Sequence, residues 1–339
     1  VGLKLVDKWI WDSWFVFDGT HYHAYYLSAS RALGDPQRRH RHPIVGHAIS
    51  TDLTNWTVVV DALIVSESPA FDSYTTWTGS VVKGDDGLWW MYYTGTSRED
   101  GGDVQTIGAA TSSDLYTWTK LGPEALVRAD ERWYEKLGQS NWPDEAWRDP
   151  WVFKTEAGRL IGGKKYNEDA GILDLANSQA LWHMLITARS NQGPVATRGV
   201  MGHAISVDQR NWQVLPPLGE VTNDFGQLEV FQFEIVDGVP TVLFCCGWRE
   251  ISSERQAAFG QRDASYSFSV DQDLSAIDYS RARGFEHALF YAGRLIEGPD
   301  GWVLIGFLNN AGPNGEFVGE LSDPVAVTST IEHGLVPKG

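Results

Sequence analysis

Val45-Gly-His-Ala-Ile-Ser-Thr-Asp-Leu-Thr-Asn-Trp56 returns as Ile107-Gly-Ala-Ala-Thr-Ser-Ser-Asp-Leu-Tyr-Thr-Trp118 and again as Met201-Gly-His-Ala-Ile-Ser-Val-Asp-Gln-Arg-Asn-Trp212. Gly, Ala, Ser, Asp and Trp hold register in all three copies, and such self-similarity marks a repeat architecture. Weaker echoes are Ser267-Phe-Ser-Val-Asp-Gln-Asp-Leu274 and Val318-Gly-Glu-Leu-Ser-Asp323. Each copy reads as an alternating strand, an Asp-containing turn and an aromatic plug. Ahead of each copy stands a candidate hairpin, at 12–28, 78–94, 149–164, 229–245 and 290–307. The expected turns are Asp18-Gly19, Asp86-Gly87, Ala157-Gly158, Asp237-Gly238 and Asp300-Gly301. Hairpin, third strand and outer strand make one four-stranded antiparallel blade. Five of them predict an all-β, five-bladed β-propeller around a central funnel, as a single domain over 1–339. The stretches 121–147, 167–180 and 248–260 break the pattern and are expected to be loops or short helices on the rims.

Composition narrows the partners. Of 339 residues, 42% are hydrophobic and 21% charged, as in ordinary globular proteins. The net charge of −17 disfavours nucleic acid and acidic membranes. No apolar run is long enough to span a bilayer, and the first residues do not read as a signal peptide, so a cytoplasmic location is expected. Cys245 and Cys246 are adjacent, which suits neither a disulfide framework nor a zinc site. No phosphate loop, dinucleotide fingerprint or metal-spaced motif occurs, so neither cofactor nor metal is expected. The 16 Trp read first as a large core, although aromatic faces also stack against the C–H faces of sugars. Arg38-Arg39-His40-Arg41-His42 reads as a solvated loop, and His23, His47 and His203 read as structural.

Three acids stand out. Asp149 lies nine residues before Gly158, Glu229 nine before Gly238, and Asp12 seven before Gly19. In a propeller the first strand of each blade faces the channel, so these carboxylates are expected to begin their innermost strands and to converge at one end. Each has a plainer reading: a turn or cap for Asp12, a salt bridge within Arg148-Asp149-Pro150, edge exposure for Glu229. Clustered carboxylates are costly unless something uses or neutralises them, and Arg148 is the local partner. Glycoside hydrolysis needs such a cluster: one carboxylate attacks the anomeric carbon and a second acid protonates the leaving oxygen. Glu229, between Leu228 and Val230, is the candidate donor, because an apolar strand and neighbouring anions raise a carboxyl pKa.

At these residues the chain resembles the five-bladed fructosidases of glycoside hydrolase families 32 and 68. Trp11-Asp12-Ser13-Trp14 resembles the levansucrase-type nucleophile motif, and Arg148-Asp149-Pro150 matches the Arg-Asp-Pro shared by both families. Trp77-Thr78-Gly79-Ser80 and Phe290-Tyr291-Ala292 resemble invertase stretches, as does the repeat beginning at Val45. The resemblance implies a retaining mechanism, with Asp12 as nucleophile, Asp149 as transition-state stabiliser and Glu229 as acid/base. It places Arg148, Trp11, Trp77, Ser80 and Tyr291 in the sugar pocket. The substrate implied is a β-fructofuranoside disaccharide or oligosaccharide, with transfer to a sugar acceptor as a variant outcome. Departures are Val230 after Glu229 where invertases carry Cys, no Asp-Glu-Ile-Glu-Arg motif, Leu27 where a Gln is usual, and no C-terminal β-sandwich. Two other readings stay open: an arabinan- or xylan-directed furanosidase resembling family 43, and a non-catalytic sugar-binding propeller.

Overall fold

The three full repeats fold alike because their polar residues build the same turn. In the structure, a computed structural model describing residues 2–285 and 290–338, the Ser50 hydroxyl donates to Asp52 Oδ1 at 3.0 Å. The same oxygen accepts the N–H groups of Thr54 and Asn55 at 2.8 and 2.7 Å. Asp114 and Asp208 do the same for Tyr116-Thr117 and Arg210-Asn211. The residue after each Asp then takes the left-handed conformation, with φ of 62°, 67° and 64° at Leu53, Leu115 and Gln209. Side-chain capping of this kind makes an Asx turn reproducible wherever its sequence recurs. The turns also lock blades together: the Tyr25 hydroxyl donates to the Leu115 carbonyl at 2.7 Å and that of Tyr92 to the Gln209 carbonyl at 2.9 Å.

Five four-stranded antiparallel sheets result. Blade one comprises β1 (Lys8–Phe17), β2 (Tyr22–Ser30), β3 (Ile44–Ser50) and β4 (Thr57–Val58). Blade two comprises β5 (Thr75–Lys83), β6 (Trp89–Thr96), β7 (Gln105–Ser112) and β8 (Thr119–Lys120). Blade three comprises β9 (Trp147–Thr155), β10 (Leu181–Arg189), β11 (Gly199–Ser206) and β12 (Trp212–Leu218). Blade four comprises β13 (Glu229–Val236), β14 (Val239–Cys246), β15 (Ala264–Ser269) and β16 (Arg283–Gly284). Blade five comprises β17 (Phe290–Gly298), β18 (Gly301–Leu308), β19 (Val325–Thr330) and β20 (Gly334–Pro337). The innermost strands β1, β5, β9, β13 and β17 touch in sequence, and β17 packs back on β1 to close the ring. The chain's beginning helps to seal the joint, since Ile10 N–H bonds the Gly319 carbonyl and Leu321 N–H the Leu3 carbonyl. The expected five-bladed propeller is the observed fold.

Two local expectations need correction. Blade three has no hairpin at 149–164: β9 ends at Thr155, and the chain passes through α1 (Gly163–Asp169) and α2 (Leu173–Ser178) before β10 begins at Leu181. Gly158 does turn the chain, with φ of 85°, but into a helical excursion. The echo at 318–323 supplies a strand bridge, Leu321 to Phe307, and the blade resumes as β19, so its Asp323 does not make the repeated turn after the third strand.

Each innermost strand carries one extra residue relative to its partner at the same depth. Trp11 pairs with Leu27 but Ser13 with Tyr26, and Trp77 with Thr94 but Gly79 with Tyr93. Equivalent slips fall between Arg148 and Trp151, Glu229 and Gln232, and Tyr291 and Arg294. Such β-bulges re-aim side chains and concentrate near active sites. In blades three to five the residue entering the bulge is left-handed, with φ of 56° at Asp149, 58° at Val230 and 49° at Ala292. These are non-glycine residues, for which such backbone costs on the order of 1 kcal/mol each and persists only when the surroundings enforce it.

Candidate active site

The five bulges sort the funnel into two rings. Trp11, Trp77, Arg148, Glu229 and Tyr291 are the last paired residues before the slip, one per blade, and form the upper ring. Asp12, Thr78, Asp149, Val230 and Ala292 follow them and form the floor. Glu229 therefore shares its register with Arg148, one residue away from the equivalence with Asp149 that counting to the turn glycines suggested. Of the three acids only Glu229 begins its strand; Asp12 and Asp149 sit within theirs. All three nevertheless line one cavity of about 320 Å³ at the mouth of the funnel.

The structure brings Trp11, Asp12, Trp77, Arg148, Asp149, Glu229 and Tyr291 to this cavity. Ser80 is not among its lining residues. Its hydroxyl lies 3.3 Å from the Val152 N–H and joins blade two to blade three. Gly79, next to it, is required by close packing, because a Cβ there would lie 2.1 Å from the Tyr92 carbonyl oxygen.

Hydrogen bonds fix the acids individually. The Thr78 hydroxyl donates to Asp12 Oδ2. Asp149 Oδ2 accepts from the Thr187 hydroxyl at 2.9 Å and from the Val230 N–H at 3.3 Å, while its own N–H reaches Thr94 Oγ1 at 2.9 Å. Glu229 is bonded at both oxygens: Arg148 Nη2 donates to Oε1 at 2.6 Å, and the Tyr291 hydroxyl donates to Oε2. Leu228 and Val230 beside it are buried, but the carboxylate itself sits among polar partners, unlike the apolar setting expected from its neighbours in sequence. Arg148 also donates to Gln105 at 3.0 Å and to Gln227, and its Nε lies 3.5 Å from Asp149. Buried Arg294 supports the floor from beneath, donating to the carbonyls of Phe231 at 2.6 Å and Gly79 at 3.3 Å.

Crowded carboxylates shape the electrostatics. Burial pushes Asp149 up to about 7; Arg148 opposes this, while the charges of Asp12 and Glu229 add to it. Asp12 is raised, first by burial and also by Glu229, with the Thr78 bond pulling the other way. Burial would lower the Arg148 pKa, but Glu229, Asp149 and Asp144 together hold it above its ordinary value. Burial lowers Arg294 to about 10 against the pull of Asp149 and Asp12. Asp12 and Asp149 thus both hold their protons more tightly than free carboxyls, beside fixed cations, a perturbation that clusters where acid/base and nucleophilic chemistry is done.

Several participants were invisible in the sequence. Gln105, Gln227, Asp144 and Arg294 come from separate blades or connections with no motif joining them, and Thr78 entered the reading only as part of the Trp77–Ser80 motif. The basic run was read as solvated loop. Arg38 is exposed, but Arg39 is buried, and both Arg39 and His40 line the cavity. Trp77 Nε1 donates to the His40 carbonyl at 3.0 Å, which ties the turn Pro36–Arg41 over the funnel. Leu27 lines the cavity as well. His23 with His47 and His183 with His203 form buried pairs at 2.9 and 3.0 Å within blades one and three.

Comparison with known proteins bears on the family and the fold. The glycosyl hydrolases family 32 N-terminal domain matches residues 8–183, just over half of the chain. An insoluble isoenzyme of beta-fructofuranosidase from Arabidopsis thaliana is 29% identical over 164 residues, covering 46% of this chain and 27% of that protein. The match thus spans about a quarter of that relative's length. Inulosucrase from Halalkalicoccus jeotgali, solved with kestose bound, superposes with a TM-score of 0.71 at 20% identity, covering 98% of this chain and 90% of that one. Fructan 1-exohydrolase IIa from Cichorium intybus gives 0.65 at 18% identity, covering 99% and 59%. At these identities the two structures speak for the fold.

Proposed function

The chain belongs to glycosyl hydrolase family 32 through the match to that family's N-terminal domain, and from that premise we propose a retaining glycoside hydrolase acting on β-fructofuranosides. Sucrose, fructooligosaccharides and fructan-derived sugars are the substrates in view. The observation that carries the reading is the placement of Asp12 and Glu229, from blades one and four, on one cavity lined also by Asp149 and Arg148.

In the proposed reaction Asp12 attacks the anomeric carbon as Glu229 gives its proton to the departing glycosidic oxygen. The C–O bond to the leaving sugar breaks and a fructosyl ester on Asp12 forms. Water then enters; Glu229 takes its proton, the ester bond breaks, and Asp12 regains its negative charge. A sugar hydroxyl in place of water gives fructosyl transfer by the same step. Asp149, held by Thr187 and the Val230 N–H, would bind sugar hydroxyls and stabilise positive charge developing on the ring. Arg148 orients Glu229 and offers its planar fork to the substrate. Trp11 and Trp77 supply apolar walls for the ring.

The test is sugar release from sucrose, inulin, levan and a nitrophenyl β-fructofuranoside, with arabinofuranosides alongside. Fructose released from any of the first group supports the reading. Turnover of arabinofuranosides alone, or of nothing, refutes it.

A further inference from the structure

A second cavity, of about 630 Å³, adjoins the catalytic one and shares Arg39 and Asn309 with it. Its wall combines Gln37, Gln261, Asn309 and Asn310 with Arg249 and Asp263. Asp263 is already satisfied: its Oδ2 accepts from Asn309 and Asn310 at 2.9 and 3.2 Å and its Oδ1 from the Trp248 N–H at 2.9 Å. That carboxylate therefore acts as a bracket holding the amides in place. Arg39 is different. It is 6% exposed, makes no ion pair among the described residues, and donates one hydrogen bond, from Nη1 to the Pro36 carbonyl at 2.9 Å. Its Nε is buried without a partner. The guanidinium lies over the Phe317 ring at 3.9 Å and the Trp11 ring at 5.6 Å, so aromatic faces hold it at the junction of the two cavities. A buried cation with donors unspent is costly unless a ligand completes it.

We propose that the second cavity binds sugar units beyond the one attached to fructose, with Arg39 and Asn309 as the gate, so that the preferred substrate is a neutral oligosaccharide of three or more units. This rests on the fructofuranosidase reading. Amides and a guanidinium fork match vicinal hydroxyls, which both donate and accept. An anionic leaving group would meet the field of a chain with net charge −17 and the carboxylates of Asp12, Asp144, Asp149 and Glu229 across the shared wall.

The experiment compares kcat/KM for sucrose, β-2,1-linked fructosyl tri- and tetrasaccharides, and a disaccharide phosphorylated on the leaving sugar. Wild type, Arg39→Met and Asn310→Ala are measured; Met keeps an apolar stem over Phe317. We expect wild type to favour the tetrasaccharide over sucrose about tenfold, and each variant to cut that ratio at least fivefold. An unchanged ratio in both variants, or preference for the phosphorylated disaccharide, overturns the proposal. If no fructoside turns over, the enzymatic reading fails. Calorimetric titration of the tetrasaccharide into wild type and Asn310→Ala then decides the cavity: binding weakened in the variant supports it, and equal or absent binding in both overturns it.

Discussion

Arg148 and Glu229 occupy the same register position in adjacent blades, and Nη2 of the one lies 2.6 Å from Oε1 of the other. The arginine reaches Gln105, Gln227 and Glu229 at once, through a planar fork that a lysine ammonium cannot copy. Arg148→Lys is therefore expected to lower kcat/KM by about 2–4 kcal/mol, as when hydrogen bonds to charged groups in a buried site are lost. The variant should keep its fold by circular dichroism. Near-normal kinetics would remove Arg148 from the site.

Thr78 governs the charge state of Asp12. Its hydroxyl bond favours the ionised carboxylate, against burial and the charge of Glu229. In Thr78→Val that support is gone, so Asp12 should hold its proton to higher pH. The acid limb of the kcat/KM profile should then move toward neutrality, with roughly a tenfold loss on the acid side, as for a lost bond of about 1.5 kcal/mol to a charged group. A rate lowered equally at every pH would mean that Thr78 only fills space.

Asp149 links the site to stability. Its folded-state value of about 7 exceeds the ordinary 3.8, so the native state holds its proton more tightly than the unfolded chain. The associated stabilisation is complete below about pH 4 and fades as pH rises through about 7. An asparagine side chain at this position mimics the protonated form at every pH. Asp149→Asn should thus gain stability relative to wild type between pH 4 and 8, by up to about 4 kcal/mol, while losing activity. Denaturant titrations at several pH values read this difference, and parallel curves for the two proteins would contradict the burial argument.

Much of this site was legible in the sequence, and the reason is the repeat. The turn built by Ser50, Asp52 and Leu53 depends on neighbours in the chain, so it recurs wherever its residues do. Counting back to the turn glycines was enough to gather Asp12, Asp149 and Glu229, but it misjudged their register. The excursion through α1 and α2 makes Gly158 a poor ruler, and a bulge leaves no signature in a strand whose left-handed residue is Asp149 or Val230 instead of glycine. Ser80 was placed in the pocket by its motif, and the pleat turned it toward Val152 instead. Arg39 and His40 were missed because the basic run looks solvated, and only the tertiary fold lays it over Trp11 and Trp77.

Glu229 should be separable from Asp12 by chemical rescue. Glu229→Ala removes the proton donor, so a nitrophenyl fructoside, whose leaving group needs little help, should still load Asp12. Deglycosylation should then stall until azide, a nucleophile that needs no base, releases the β-configured fructosyl azide. Asp12→Ala should fail on every substrate, with no such rescue. Absence of rescue in Glu229→Ala would assign the acid/base role elsewhere, with Asp144, which lines the same cavity, the next candidate.

The central claim, attack by Asp12 with proton transfer through Glu229, is tested most directly by the stereochemistry of the first product. NMR of β-fructofuranoside cleavage, recorded at high enzyme concentration before mutarotation, should show β-fructofuranose forming first. Two displacements at the same carbon, one by Asp12 and one by water, require that outcome. Initial formation of the α-anomer would mean a single displacement by water and would contradict Asp12 as the nucleophile.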